Sequence, residues 1–180
     1  QAFFASSQPA KEDASIKWSD WGIVVNGVQC RAALPENIEQ NEPIKTTLQC
    51  RPIADKMLEG IRAMNPCGDW CTNFSIHLFD DSNREFVIKG DTRTFGPPPS
   101  NDSGQVRSLE NGEPVEWSAT FSPLRLGNLA PPPGLYRAFI RNDQAAIPYG
   151  SRTGPEGDWS KKGFWRGIVE SAPTPIVVLP

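Results

Sequence analysis

The sequence predicts an all-β domain held by disulfides, with antiparallel strands arranged as a sandwich or barrel. Three observations predict it. Eighteen of the 180 residues are Pro, about twice the average usage. Helix interiors reject Pro because it lacks an N–H and clashes with the preceding turn. Segment after segment alternates apolar and polar residues at a period of two, the repeat of a strand with one buried face. The cysteines at 30, 50, 67 and 71 form an even set, as in the disulfide frame of a secreted protein.

Residues 1–16 are polar and aperiodic and read as an arm that is flexible or ordered by a partner. Residues 17–180 form a single β-sandwich domain, opened by Trp18 and Trp21. In the first strand Val28, Cys30, Ala32 and Leu34 share a face. After a polar turn at 35–43, Ile44, Thr46, Leu48 and Cys50 share a face of the next, so the two form a hairpin with both cysteines pointing inward.

Segment 54–64 has Met57, Leu58, Ile61 and Met64 at helical spacing, which predicts one short inserted helix. Gly60 weakens it, and Asn65-Pro66 ends it. Strands follow at 74–79 and 85–89, joined by the turn Asp80-Asp81-Ser82-Asn83, then at 115–121 and 134–140. Long loops occupy 96–114 and 142–163. At the end, Phe164 to Val169 pairs with Ile176 to Leu179, broken by Pro173 and Pro175. About eight strands without alternating helices indicate a sandwich or barrel rather than a parallel sheet.

Composition narrows the function classes. A net charge of −3 with 18 basic and 21 acidic residues, the signs interspersed with no run of five like charges, argues weakly against a nucleic-acid binder, although linear spacing does not show what patch folding would assemble. No apolar run approaches the ~20 residues that span a bilayer. A start at Gln1 without an initiator Met reads as a mature chain after signal-peptide removal, hence a secreted, periplasmic or extracellular location. Asn73 and Asn101 head Asn-X-Ser sequons, surface markers in a eukaryotic secretory pathway.

The closing half carries Leu129, Pro133-Gly134 and Tyr136 before Arg137 to Ile140, then Trp165 to Ser171 and Pro175 to Val178. With Trp21-Gly22 to Leu34 and Glu42-Pro43-Ile44 to Leu48, these residues make the chain resemble bacterial extracellular immunoglobulin-like and fibronectin-like domains. The resemblance covers roughly two thirds of the chain and implies an immunoglobulin-like antiparallel β-sandwich with long loops. It makes Tyr136 a tyrosine corner, its hydroxyl bonded to a backbone group a few residues upstream. The chain departs from antibody domains in lacking their Cys-Trp-Cys spacing, and 52–72, 96–114 and 142–163 fall outside the pattern.

Cys67-Gly68-Asp69-Trp70-Cys71 is not a C-x-x-C motif, no His follows it, and the spacing lacks paired zinc knuckles. Four cysteines allow three connectivities. The preferred one pairs Cys30 with Cys50, from their shared face, and Cys67 with Cys71, from closeness in sequence; the alternative ties the 67–71 loop to the first hairpin. His77, the single histidine, shares a strand face with Ser75, but no Gly-x-Ser-x-Gly elbow accompanies it, and it reads as an ordinary strand histidine. Asp69, Asp80, Asp81, Asp91 and Asp158 are loop acids with no readable convergence. Asp80 to Asn83 reads as a hairpin turn, not a calcium loop.

No catalytic residue, metal ligand or cofactor is assigned. Trp70, Tyr149 and Trp159, in or beside long loops, are the candidate binding residues; Phe164 and Trp165 read as core. The sequence therefore points to a non-catalytic accessory or structural subunit that makes protein–protein contacts in an extracytoplasmic assembly. A carbohydrate-binding module using the loop aromatics is the second reading, and a secreted hydrolase using loop carboxylates is the third.

Overall fold

The structure, a computed structural model, describes residues 16–64, 74–89, 107–121, 130–144, 163 and 165–180. Residues 1–15 of the expected arm, Cys67, Trp70, Cys71, Tyr149, Trp159 and Phe164 lie outside them. The described chain is all-β and its order is β1 (Ile16–Trp18), β2 (Val28–Pro35), β3 (Asn37–Glu39), β4 (Ile44–Pro52), β5 (Ala63–Met64), β6 (Phe74–Phe79) and β7 (Glu85–Lys89). Then follow β8 (Arg107–Ser108), β9 (Val115–Phe121), β10 (Gly134–Asp143), β11 (Ile168–Glu170) and β12 (Thr174–Leu179).

Two sheets carry the domain. The first has the order β1-β2-β4-β9 and is antiparallel throughout. The second has the order β3-β12-β10-β6-β7, with β11 also on β10. Glu36 is the hinge between them: β2 belongs to the first sheet, and β3, starting one residue later, runs parallel to β12 in the second. The Val177 N–H donates to the Glu36 carbonyl at 2.9 Å, so the crossover itself is paired.

The period-two pattern explains the core. Val28, Cys30, Ala32 and Leu34 of β2 and Ile44, Leu48 and Cys50 of β4 are buried. They join Ile76 and Leu78 of β6, Tyr136, Ala138 and Ile140 of β10, and Ile176 and Val178 of β12 in one apolar cluster. Each fully buried aliphatic side chain contributes about 1.5–3 kcal/mol. Trp165 is completely buried in that cluster, with its indole N–H on the Val25 carbonyl at 3.1 Å. Cys30 and Cys50 are direct partners across β2 and β4 and form a disulfide, with Cα atoms 4.1 Å apart.

Two sequence expectations are corrected. Segment 54–64 holds a three-residue 3-10 turn, Ala54–Lys56, in place of a helix. Met57 is already extended, Gly60 adopts φ +85°, and Met64 ends in strand β5 on β8. Of the apolar residues that suggested a helical face, Met64 is fully buried and Met57 and Ile61 pack against the core from non-helical backbone, while Leu58 is 53% exposed. The closing segments do not pair with each other either. β11 pairs with Arg141–Asp143 and β12 with Gly134–Ala138, so both run along the same edge of β10. Ser171 bridges the gap between them: its N–H donates to the Ile140 carbonyl and its hydroxyl accepts from the Ile140 N–H, both at 3.0 Å.

Candidate functional site

Alternation that sends apolar residues inward leaves the other half of each strand on an outer face. On the first sheet, Arg31, Gln49, Arg51 and Glu116 occupy outward positions of β2, β4 and β9. The segment after β1 lies over them, fixed by Ser19 N–H to the Ala32 carbonyl and Gly22 N–H to the Cys30 carbonyl, both 2.8 Å. This brings Trp18 and Trp21 onto the arginines. The Arg31 guanidinium lies 4.7 Å from each indole centroid, and Arg51 lies 4.1 Å from that of Trp21. Two indoles and two guanidiniums thus form a cation–π ladder. Arg31 Nε also donates to Gln49 at 2.8 Å, and Gln49 donates to Glu116 at 3.3 Å. Trp18 remains 38% exposed.

The outer face of the second sheet carries a different array. Ser75 and His77, two residues apart on β6, project to the same side. The Ser75 hydroxyl lies 2.9 Å from His77 Nε2, and His77 Nδ1 lies 2.5 Å from a Glu85 carboxylate oxygen across the hairpin. His77 is 4% exposed and its imidazole stacks on Phe139, ring centroids 5.0 Å apart and planes 3° from parallel. Ser75 faces Arg141 on one neighbouring strand and Lys89 on the other. Arg141 is itself held by Glu170 at 2.7 Å. The order hydroxyl, imidazole, carboxylate is that of an activated serine. Its surroundings lack one part. β6 lies between β10 and β7, so its backbone N–H groups serve two ladders and no pair of them is free for an oxyanion.

The remaining sequence candidates are placed as follows. Asp80 serves its own turn: one carboxylate oxygen accepts from the Ser82 and Arg84 N–H groups, both at 2.9 Å, and the other from Arg84 Nε at 3.1 Å. The Arg84 backbone N–H, helped by that of Ser82 and by the guanidinium charge, holds the Asp80 carboxyl below the usual range despite some burial. The Tyr136 hydroxyl donates to the Pro132 carbonyl at 2.6 Å. Among the described residues no group of three His, Cys, Asp or Glu is arranged to hold a metal, and no helix is long and apolar enough to cross a membrane. Neither outer-face array was singled out from sequence. Period two places Ser75 beside His77, but the partnership with Glu85 depends on the hairpin register. The arginine–tryptophan ladder depends on how 19–22 folds back.

No protein-family model matches the sequence, and no curated protein matches it. Among solved structures, a β-glucosidase from Listeria innocua in complex with glucose aligns with a TM-score of 0.39 at 12% identity, covering 85% of this chain and 16% of that one. A mutant of the same enzyme in complex with laminaribiose gives the same values. A chain described as pT26-6p aligns with a TM-score of 0.33 at 9% identity, covering 91% of this chain and 33% of that one.

Proposed function

We propose that this chain is a secreted, immunoglobulin-like accessory domain that makes protein–protein contacts in an extracytoplasmic assembly and does not turn over a substrate. The outer face of the first sheet is its docking surface. The observation that carries the reading is the ladder of Trp18, Arg31, Trp21 and Arg51. Tryptophan and arginine dominate the energetically decisive positions of protein interfaces. Here they are held on a rigid sheet, so little side-chain freedom is lost on docking.

Several features support the immunoglobulin-like reading. One sheet follows the order β1-β2-β4-β9 and the other the order β3-β12-β10-β6-β7, with the chain crossing between the sheets from β2 to β3. Tyr136 bonds back to Pro132 at the start of β10, the position of a tyrosine corner. A disulfide is compatible with an oxidising compartment.

Purification of the native protein from its source, under non-reducing conditions and with mass spectrometry of what accompanies it, tests the proposal. The expected result is a stoichiometric partner that is lost from Trp18→Ala and Arg51→Gln variants. A lone monomer, or a partner retained equally by both variants, removes the reading. The exposed Trp18 indole favours a second reading, stacking on a sugar ring. A polysaccharide affinity panel decides that one: binding unchanged by Trp18→Ala excludes it for this face.

A further inference from the structure

We infer that Ser75 is an activated hydroxyl that accepts an acyl group from small activated esters and keeps it. The geometry has the parts that make a serine nucleophilic. A base, His77 Nε2, is within hydrogen-bond reach at 2.9 Å. A carboxylate, Glu85, engages the other ring nitrogen, which fixes the ring's orientation and stabilises the imidazolium formed when the base takes a proton. Phe139 stacked on one face of the ring and near-complete burial restrict its motion. Glu85 does not touch the reacting atoms; it is a positioning residue.

The step balances within these groups. The Ser75 oxygen attacks the carbonyl carbon of an ester while its proton passes to His77 Nε2. The carbon–oxygen bond to the alcohol breaks, and the departing alkoxide takes the proton from His77. An acyl-serine and a free alcohol remain. The residues directly opposite Ser75 are Arg141, itself ion-paired with Glu170, and Lys89; opposed residues in a sheet stand about 5 Å apart, so charge developing on the carbonyl oxygen has two cationic residues on the neighbouring strands.

Two features make the acyl group persist. One oxyanion-hole donor contributes on the order of a hundredfold to a thousandfold in rate, and the β6 backbone donors are committed to their ladders. Deacylation also needs a water beside a base whose side chain is 5% exposed. Only a donor with a good leaving group overcomes the first barrier, and water is poorly placed for the second. The site is thus an acceptor for one acyl group, consistent with a domain that does not turn over substrate.

The test incubates the full chain with p-nitrophenyl acetate, follows p-nitrophenol release, and maps acetylation by peptide mass spectrometry. The expected result is an acetyl group on Ser75 with a burst of p-nitrophenol and a slow steady state. Ser75→Ala abolishes the burst while lysine acetylation stays as in the parent. His77→Gln slows Ser75 labelling about a hundredfold. Glu85→Gln slows it about tenfold or more, and Glu85→Asp, which keeps the carboxylate, restores part of the rate. Circular dichroism matching the parent keeps each variant interpretable. An unlabelled Ser75 in the folded parent, or equal labelling in His77→Gln, overturns the inference. Neither outcome touches the docking reading, which rests on the opposite sheet.

Discussion

Gly22 lies against the carbonyl of Glu170 so closely that a methyl group at 22 would overlap that oxygen. The contact joins the segment carrying Trp18 and Trp21 to β11 of the other sheet, while the Gly22 N–H holds it to Cys30. Gly22→Ala must push the segment off β11 or β11 off β10, because both contacting groups are backbone. The expected cost is about 1–3 kcal/mol, as for overpacking elsewhere in protein cores, read as a lower urea midpoint at unchanged m-value. The Trp18–Arg31 stacking should loosen with it, visible as a change in tryptophan fluorescence. A variant as stable as the parent would show that the segment has room to move.

The disulfide closes a separation of 20 residues between directly paired positions. Loop-closure entropy for a loop of that length amounts to about 3 kcal/mol. The Cys30→Ala/Cys50→Ala variant should lose that much or somewhat less, because the hairpin already favours its own closure. The loss should appear in the oxidised protein and vanish when parent and variant are compared under reducing conditions. A difference that survives reduction would assign it to the volume of the two buried sulfurs.

How much of this was legible beforehand follows the physics of each feature. Strands announce themselves through period two, so the first hairpin, the 74–89 hairpin, β9 and β10 were all readable, and the shared inward face of Cys30 and Cys50 made their pairing readable as well. Local spacing misled at 54–64, where Met57 and Ile61 pack against the core from irregular backbone and the extended Met57 ends the 3-10 turn ahead of the left-handed Gly60. Two short strands sharing one edge of β10 have no local signature at all; the Ser171 hydroxyl that fills the gap is set by tertiary placement. The outer-face arrays were hidden for the same reason. Glu85 directly opposes Phe79 and reaches His77 only diagonally, and the Trp–Arg ladder follows from a segment folding over a sheet.

Stability should bend at both ends of the pH scale through two groups near the 80–84 turn. Asp80 has a folded-state pKa below its ordinary 3.8, chiefly through the Arg84 N–H. A depressed carboxyl contributes stability above its unfolded value, and that contribution is lost as pH falls through the folded one. Asp80→Asn should therefore flatten the decline in urea midpoint below about pH 4. Tyr136 has a pKa raised above 10.0, first by desolvation and then by the Asp80 charge, with Arg84 opposing. Its contribution is complete below that value and lost as pH rises above it, so Tyr136→Phe should flatten the alkaline limb. It should also cost about 1 kcal/mol at neutral pH through the lost bond to Pro132. Unchanged slopes in either variant would place the titrating groups elsewhere.

Asn142 offers the opposite kind of substitution. It points inward near the end of β10, opposite Phe74 on β6 and Val169 on β11, and is fully buried. Neither polar atom of its side chain has a hydrogen-bond partner among the described residues. A buried polar group without a partner costs about 1–3 kcal/mol, and an apolar group of the same shape removes that cost. Leucine has the branching and the heavy-atom count of asparagine, though its methyl groups are bulkier, and the neighbours Phe74 and Val169 are apolar. Asn142→Leu should then raise stability by about 1–3 kcal/mol, measured as a higher urea midpoint. Asn142→Ala separates the two contributions: it removes the polar atoms but leaves a cavity, and should fall below Asn142→Leu. If Asn142→Leu instead destabilised the fold by a similar amount, the carboxamide would have to be satisfied in the folded protein.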